Sequence, residues 1–232
     1  MYKILTKKIL NPTVTLMEVD APMIAKKAEP GQFIILRVDA EGERIPLTIA
    51  DFDREKGTIT IIFQIVGATT EKLNHLEEGE FIHDFVGPLG VPSHTEGLKK
   101  VAVVGGGVGC AIAYPIAKKL HHLGAEVHSI VGFRNKDLVI LEDEFKAASD
   151  VMKLMTDDGS HGEKGLVTNA LEELIKAGNQ YDEVIAIGPL VMMKFVCKLT
   201  KEYGIKTVVS MNPIMIDGTG MRRLSSGRRR RD

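Results

Sequence analysis

The stretch Val101-Ala102-Val103-Val104-Gly105-Gly106-Gly107-Val108-Gly109-Cys110-Ala111-Ile112-Ala113 decides the fold of the second half of the chain. Its small and β-branched apolar residues read as a buried strand, its glycines as a sharp turn, and Cys-Ala-Ile-Ala as the opening of a helix. Glycine lets the backbone turn tightly and approach a bound dinucleotide, and the helix N-terminus presents free N–H groups and positive potential. A side chain at Gly107 or Gly109 is expected to obstruct that approach. The spacing departs from the Gly-x-Gly-x-x-Gly of ordinary dehydrogenases, because Ala111 and Ile112 follow Gly109. The next strand ends in Gly132-Phe133-Arg134-Asn135-Lys136, without the acidic residue that would clamp a ribose.

Outward from that turn, apolar strand runs alternate with helical ones, as βαβ units do. The strands expected are Val101–Val104, Glu126–Val131, Val151–Met155, Glu183–Ile187 and Thr207–Ser210, with helices over Gly109–Leu123, Leu138–Ala148, Val167–Ala177 and Leu190–Tyr203. This is an α/β domain with a five-stranded parallel sheet, doubly wound. Towards the N-terminus the pattern changes to short β-branched runs broken by Pro, Gly and acidic turns. They are Tyr2–Leu10, Thr13–Val19, Gln32–Val38, Ile45–Ile49, Thr58–Val66 and Phe81–Val86, with a short helix over Thr70–Leu76. Six such strands suit a small antiparallel β-barrel of Greek-key type. The two halves meet at Pro92–Lys100, which places an N-terminal unit over 1–97 and a second over 98–221.

The 232 residues suffice for two cores, and 44% hydrophobic with 26% charged residues is ordinary for a globular chain. A net charge of −1 supplies no overall field for nucleic acid or an anionic membrane. No apolar run approaches the ~20 residues of a membrane-spanning helix. Only Cys110 and Cys197 occur, too few for a disulfide framework, which suits a reducing, cytoplasmic setting. Function is therefore expected from local sites.

Several segments, in order, resemble the ferredoxin–NADP reductase superfamily. Arg44-Ile45-Pro46-Leu47-Thr48 resembles its flavin motif, in which Arg meets the pyrophosphate and a Ser or Thr meets the flavin edge. Phe63-Gln64-Ile65-Val66-Gly67-Ala68-Thr69-Thr70 resembles the second flavin segment, where a strand leads into a short helix beneath the phosphates. Glu29-Pro30-Gly31-Gln32-Phe33 and Asp84-Phe85-Val86-Gly87-Pro88-Leu89-Gly90 resemble the turn into a barrel strand and the exit from the barrel. In the second half, Gly105-Gly106-Gly107-Val108-Gly109, Gly132-Phe133-Arg134, Thr156-Asp157-Asp158-Gly159-Ser160 and Gly188-Pro189-Leu190-Val191-Met192 resemble the nicotinamide-nucleotide loops. The wording Arg-Ile-Pro-Leu-Thr-Ile-Ala is similar to the alpha subunit of NADH-dependent ferredoxin–NADP oxidoreductases, also called the sulfide dehydrogenase small subunit. The dihydroorotate dehydrogenase electron-transfer subunit comes next.

The resemblance implies FAD held by Arg44, Pro46, Leu47, Thr48, Gln64, Val66, Gly67, Thr69 and Thr70. It implies NAD(P)H held by Gly105, Gly106, Gly107, Gly109, Arg134, Thr156, Asp157, Gly188, Pro189 and Met192. No dedicated catalytic acid or base is implied, because hydride moves between the two cofactors. The implied partner is a larger flavin/iron–sulfur subunit, with ferredoxin reached indirectly. Intact relatives are expected to carry a [2Fe–2S] cluster, with Asp217 at the place of a candidate fourth ligand. Here residues 222–232 form an Arg-rich tail without thiols, as a change of reading frame after Met221 would produce, so no cluster is expected in this chain. The rival readings are a flavin-free ligand-binding or regulatory module and a conventional NAD-dependent dehydrogenase. For Cys110, a place in the helix-facing core stands beside a role next to the nicotinamide.

Overall fold

The computed structural model describes residues 1–211. Seven antiparallel strands come first: β1 (Tyr2–Asn11), β2 (Val14–Asp20), β3 (Phe33–Arg37), β4 (Ile45–Asp53), β5 (Thr58–Gln64), β6 (Phe81–Ile82) and β7 (Asp84–Leu89). Between them lie the one-turn helix α1 (Pro22–Ala25) and helix α2 (Ala68–His75). The sheet order is β6-β1-β2-β5-β4-β3-β7. Sequence led to six strands, and the seventh arises because the last run divides at His83. Ile82 pairs with Tyr2 on β1, whereas Phe85 pairs with Leu36 on β3. One continuous run thus joins the two edges of the sheet and brings the barrel close to closure, which removes exposed strand edges.

Alternation along β5 explains the barrel core. Ile59, Ile61 and Phe63 point inward with Ile4, Met17, Ile34, Leu36, Ile49 and Phe85, all of them buried. Ile62 points the other way and is still buried, together with Val14 and Ala50, because a helix of the second half packs over this face. A strand buried on both sides reads as a continuous apolar run, as β5 does.

The second half contains β8 (Lys100–Gly106), α3 (Cys110–His122), β9 (Glu126–Phe133), α4 (Glu142–Ala147), β10 (Val151–Thr156), β11 (Glu163–Lys164), α5 (Val167–Lys176), β12 (Glu183–Ile187), α6 (Leu190–Glu202) and β13 (Thr207–Val209). The parallel order is β11-β10-β9-β8-β12-β13. All five expected strands are present, and the added sixth, β11, has two residues. It forms because the Thr156 hydroxyl donates to His161 O at 2.7 Å, which returns the loop beside β10, where Glu163 pairs with Met155. Alternate strand residues serve two cores: Val101, Val103, Val127 and Ile185 face α3, whereas Ala102, Val104, Val184 and Ala186 face α5 and α6.

Helix expectations are corrected at one place. The span Leu138–Ala148 is not one helix: a 3-10 turn covers Lys136–Leu138, and α4 starts only after Leu141 turns the chain with φ 58°. Helix α3 carries the contact between the halves. Its Lys118 Nζ meets Asp51 Oδ2 on β4 at 2.6 Å, beside the buried Ala50.

Candidate functional site

Strands β9 and β12 lie on opposite sides of β8, so the chain leaves β8 and β12 in opposite directions at their C-terminal ends. Open parallel sheets bind ligands at such a switch point. A cleft of about 890 Å3 opens there. It runs from Gln64, the last residue of β5 in the barrel, past Gly106, Gly107 and Gly109 to Arg134 and Asp157. Gly188, Pro189 and Met192, packed against the β8 turn, line it as well.

The glycines divide into two kinds. A Cβ at Gly109 would lie 2.7 Å from both Gly188 Cα and Ile187 O, and one at Gly188 would lie 3.0 Å from Gly106 Cα. At Gly106 it would lie 2.5 Å from Met192 Sδ, and at Gly105 2.8 Å from Cys110 Sγ. These four glycines let protein pack on protein, so a side chain at Gly109, which also lines the cleft, would meet the backbone of Ile187 and Gly188. Gly107 is the open one: its φ is +53° and nothing lies within 4 Å of a Cβ there. Its turn therefore leaves backbone facing the cleft.

Two further expected residues, Gly105 and Thr156, are buried and outside the cleft lining. Thr156 instead organises the rim through His161. Cys110 is fully buried against Gly105, and burial pushes its thiol well above the ordinary range, so it is a packed core residue and not a reactive thiolate. Lining residues that sequence reading missed include Leu166, Val167 and Thr168 at the start of α5, and Phe195 on α6. The Gly165-Leu166 step before an amphipathic helix was the available signal for the former.

On the barrel side, Pro46, Leu47 and Thr48 lie on β4, paired with Ile35, Ile34 and Phe33 of β3. Arg44 precedes this strand, is exposed, and forms no ion pair among the described residues. Thr69 Oγ1 reaches Glu43 Oε2 at 3.4 Å, which draws the residue beside Arg44 to the N-terminus of α2. Thr70 closes the turn ahead of that helix. Its Oγ1 accepts the N–H groups of Val66 and Gly67 at 3.0 and 3.1 Å and donates to Gly67 O at 2.9 Å. Gly67 itself has nothing within 4 Å of a Cβ, and Val66 is 76% exposed. The first turn of α2 thus offers backbone N–H groups to open space, and the exposed Arg44 follows Glu43 in sequence. That donor set suits a diphosphate.

No group of three or more metal-ligating side chains occurs among the described residues. Asp217 and the Arg-rich tail lie outside them.

A near-closed Greek-key barrel with an anion-ready helix start, opening into the switch-point cleft of a parallel sheet, defines the ferredoxin–NADP reductase class of flavin-dependent oxidoreductases. Comparison narrows the class. No family model matches the chain. It is 52% identical over 229 residues to an uncharacterized protein of the adh 3′ region of Clostridium beijerinckii, covering 95% of this chain and 77% of that protein. It is 48% identical over 203 residues to the dihydroorotate dehydrogenase B (NAD(+)), electron transfer subunit homolog of Thermotoga maritima, covering 88% and 71%. Among solved structures, an NADH-dependent reduced ferredoxin-NADP oxidoreductase studied for flavin-based electron bifurcation matches with TM-score 0.89 and 41% identity, over 95% of this chain and 79% of that one. The chain belongs to the family of dihydroorotate dehydrogenase B electron transfer subunits and their homologues. Its activity class is flavin-dependent electron transfer.

Proposed function

We propose that residues 1–97 hold FAD, that residues 98–221 hold a nicotinamide nucleotide, and that the shared cleft is where the nucleotide reduces the flavin. The observation that carries this reading is the cleft's extent: it includes Gln64 of the barrel as well as Gly107 and Gly188 of the parallel sheet. FAD, when bound, supplies a two-electron acceptor for hydride. The chain's own residues bind, orient and exclude water. Arg44 and the first-turn N–H groups of α2 neutralise the diphosphate, and Thr48 on β4 offers a hydroxyl to the ring edge. Gly107 gives the nucleotide backbone to lie against, while Pro189 and Met192 provide an apolar wall. Gly105, Gly106, Gly109 and Gly188 hold the two loops at the spacing the cleft needs.

The partner we propose is a larger flavin/iron–sulfur subunit, as in the NADH-dependent ferredoxin–NADP oxidoreductase, with ferredoxin reached through it. The name of the Thermotoga maritima relative, an electron transfer subunit homolog, supports a multi-subunit setting. The dihydroorotate dehydrogenase type of partner is the second reading, favoured by the Thermotoga maritima relative. Two unpaired cysteines support a reducing cytoplasm. No helix among the described residues is long and apolar enough to cross a membrane.

Equilibrium titration of the purified chain with FAD, followed by flavin fluorescence, tests the barrel half. Saturable stoichiometric binding is expected. A chain that binds no FAD, yet reduces NAD+ with an organic substrate, would establish the dehydrogenase reading instead.

A further inference from the structure

Strand β4 carries Pro46, Leu47 and Thr48 and then breaks its own alternation. Ile49 pairs with Ile61 and Asp51 with Thr60 on β5, so Ala50 is an extra residue without a partner. Ile49 and Phe52 pack into the barrel core, whereas Ala50 is buried outside it, in the cluster it shares with α3. Regular alternation would turn the Asp51 carboxylate into the apolar barrel. The bulge re-aims it outward, towards α3.

There Asp51 meets Lys118. The Lys118 ammonium donates to Asp51 Oδ1 at 2.9 Å and to Oδ2 at 2.6 Å, and Oδ1 also accepts the Phe52 N–H at 2.9 Å. Lys118 Nζ lies 5.7 Å from the centre of the Tyr114 ring, which packs edge-on against Phe145 of α4. Both partners are thus held from behind. A second and looser contact joins the halves nearby, Lys119 Nζ to Glu29 Oε2 at 3.6 Å. Asp51, Lys118 and Tyr114 all lie outside the cleft lining.

The rest of the contact sets no register. Ala50 and Val14 of the barrel and Ala113 and Ala117 of α3 are small and apolar, and attraction between such surfaces has no direction. A half-exposed ion pair adds little to folding stability, so what a two-pronged one supplies here is geometry. Its two ends sit on the elements that matter. Lys118 is about 12 Å along α3 from Cys110, which follows the Gly107–Gly109 turn. Asp51 is about 10 Å along β4 from Thr48. On arms of that length a rotation of about 5° displaces the far end by about 1 Å.

We infer that Asp51 and Lys118 are positioning residues: their ion pair locks the register of the barrel against the parallel sheet and so sets the spacing of the flavin and nicotinamide rings. This rests on the two-cofactor reading of the cleft. One hydride, carrying both electrons, leaves NADH and enters FAD, giving NAD+ and FADH−. Its rate depends on the separation of two rings held by different halves, and a misplacement of about 1 Å costs about a hundredfold.

Paired spin labels test the geometry with no cofactor present. They are placed at the exposed Lys3→Cys on β1 and Lys201→Cys on α6, with Cys197→Ser leaving only the buried Cys110. Lys118→Met, which keeps the stem over Tyr114, should broaden the distance distribution at least about twofold. In unlabelled, FAD-loaded protein it should lower the limiting rate of anaerobic reduction by NADH about tenfold. Half-saturating NADH and FAD affinity should stay within about twofold, a split that simple loss of folding would not give. Asp51→Asn should behave alike, and the double variant should be no slower than the slower single one. Melting temperatures should fall by at most about 2–4 °C. An unbroadened distribution, or a limiting rate within about twofold of the parent's, overturns the inference while leaving the cleft a site of hydride transfer. A parent flavin that NADH does not reduce sinks the two-cofactor reading, and the inference with it.

Discussion

The flavin and nucleotide segments differ in how their key residues are used. Around the β8 turn, three of the four glycines face protein: Gly105 meets Cys110, Gly106 meets Met192, and Gly109 meets Gly188. Around β4 and α2 the key groups face outward: Arg44 and Pro46 are exposed, and nothing lies near Gly67. Glycine-rich loops are easily taken to be shaped by their ligand. Here Gly105, Gly106 and Gly109 are fixed by packing of one strand end on another, and Gly107 is the turn glycine whose Cβ position is open. Substitutions in the turn should therefore damage the fold, and those in the barrel segment should damage binding alone.

The largest effect is expected from Gly109→Val. Its side chain would drive into the backbone of Ile187 and Gly188, which cannot yield as a flexible side chain would. We expect more than about 3 kcal/mol of destabilisation, seen as a collapse of the chemical-denaturation midpoint. A fully stable, folded Gly109→Val that merely fails to use NAD(P)H would show that the ligand shaped this turn after all. Next comes Arg44→Ala. Loss of one charge-assisted phosphate contact, worth about 1.5–3 kcal/mol, should weaken FAD about ten- to a hundred-fold. The melting temperature of the flavin-free protein should not move, since Arg44 pairs with nothing among the described residues. Unchanged FAD retention would remove Arg44 from the site.

Gly107→Ala lies between these two classes. Forcing a Cβ into a left-handed conformation costs about 1–2 kcal/mol, and the methyl group enters the cleft and not the core. Flavin reduction by NAD(P)H should slow severalfold while FAD affinity is kept; stopped-flow absorbance and FAD titration separate the two. The smallest effect concerns pH. The Ser160 hydroxyl and N–H lower the Asp158 carboxyl from its ordinary value. That contribution to loop order is complete above the unfolded value of about 3.9 and is lost as pH falls through the native one. Hydrogen exchange at Ser160 should accelerate at the acid end, and Asp158→Asn should abolish that pH dependence.

Most of the architecture was legible because it rests on local periodicity. Alternation along Thr58–Gln64 and the strand-turn-helix at Val101–Ala113 reveal themselves within a dozen residues. What sequence concealed depends on distant partners. Nothing within Phe81–Val86 says that Ile82 will join β1 while Phe85 joins β3. Leu141 gives no hint of its left-handed φ, so apolar spacing alone points to a helix beginning at Leu138. The Gly109–Gly188 approach spans 79 positions of chain and looks, from sequence, like any phosphate loop. At the site, Arg134 and Asp157 were individually readable as candidates, but their adjacency appears only in the register of β9 with β10.

The central claim is that one cleft brings a barrel-bound flavin and a sheet-bound nicotinamide together. Its most direct test is anaerobic visible absorption of FAD-reconstituted protein during addition of NADH. A protein-bound flavin spectrum should appear and bleach in proportion to the NADH added. A bound flavin that neither NADH nor NADPH can bleach would contradict the claim.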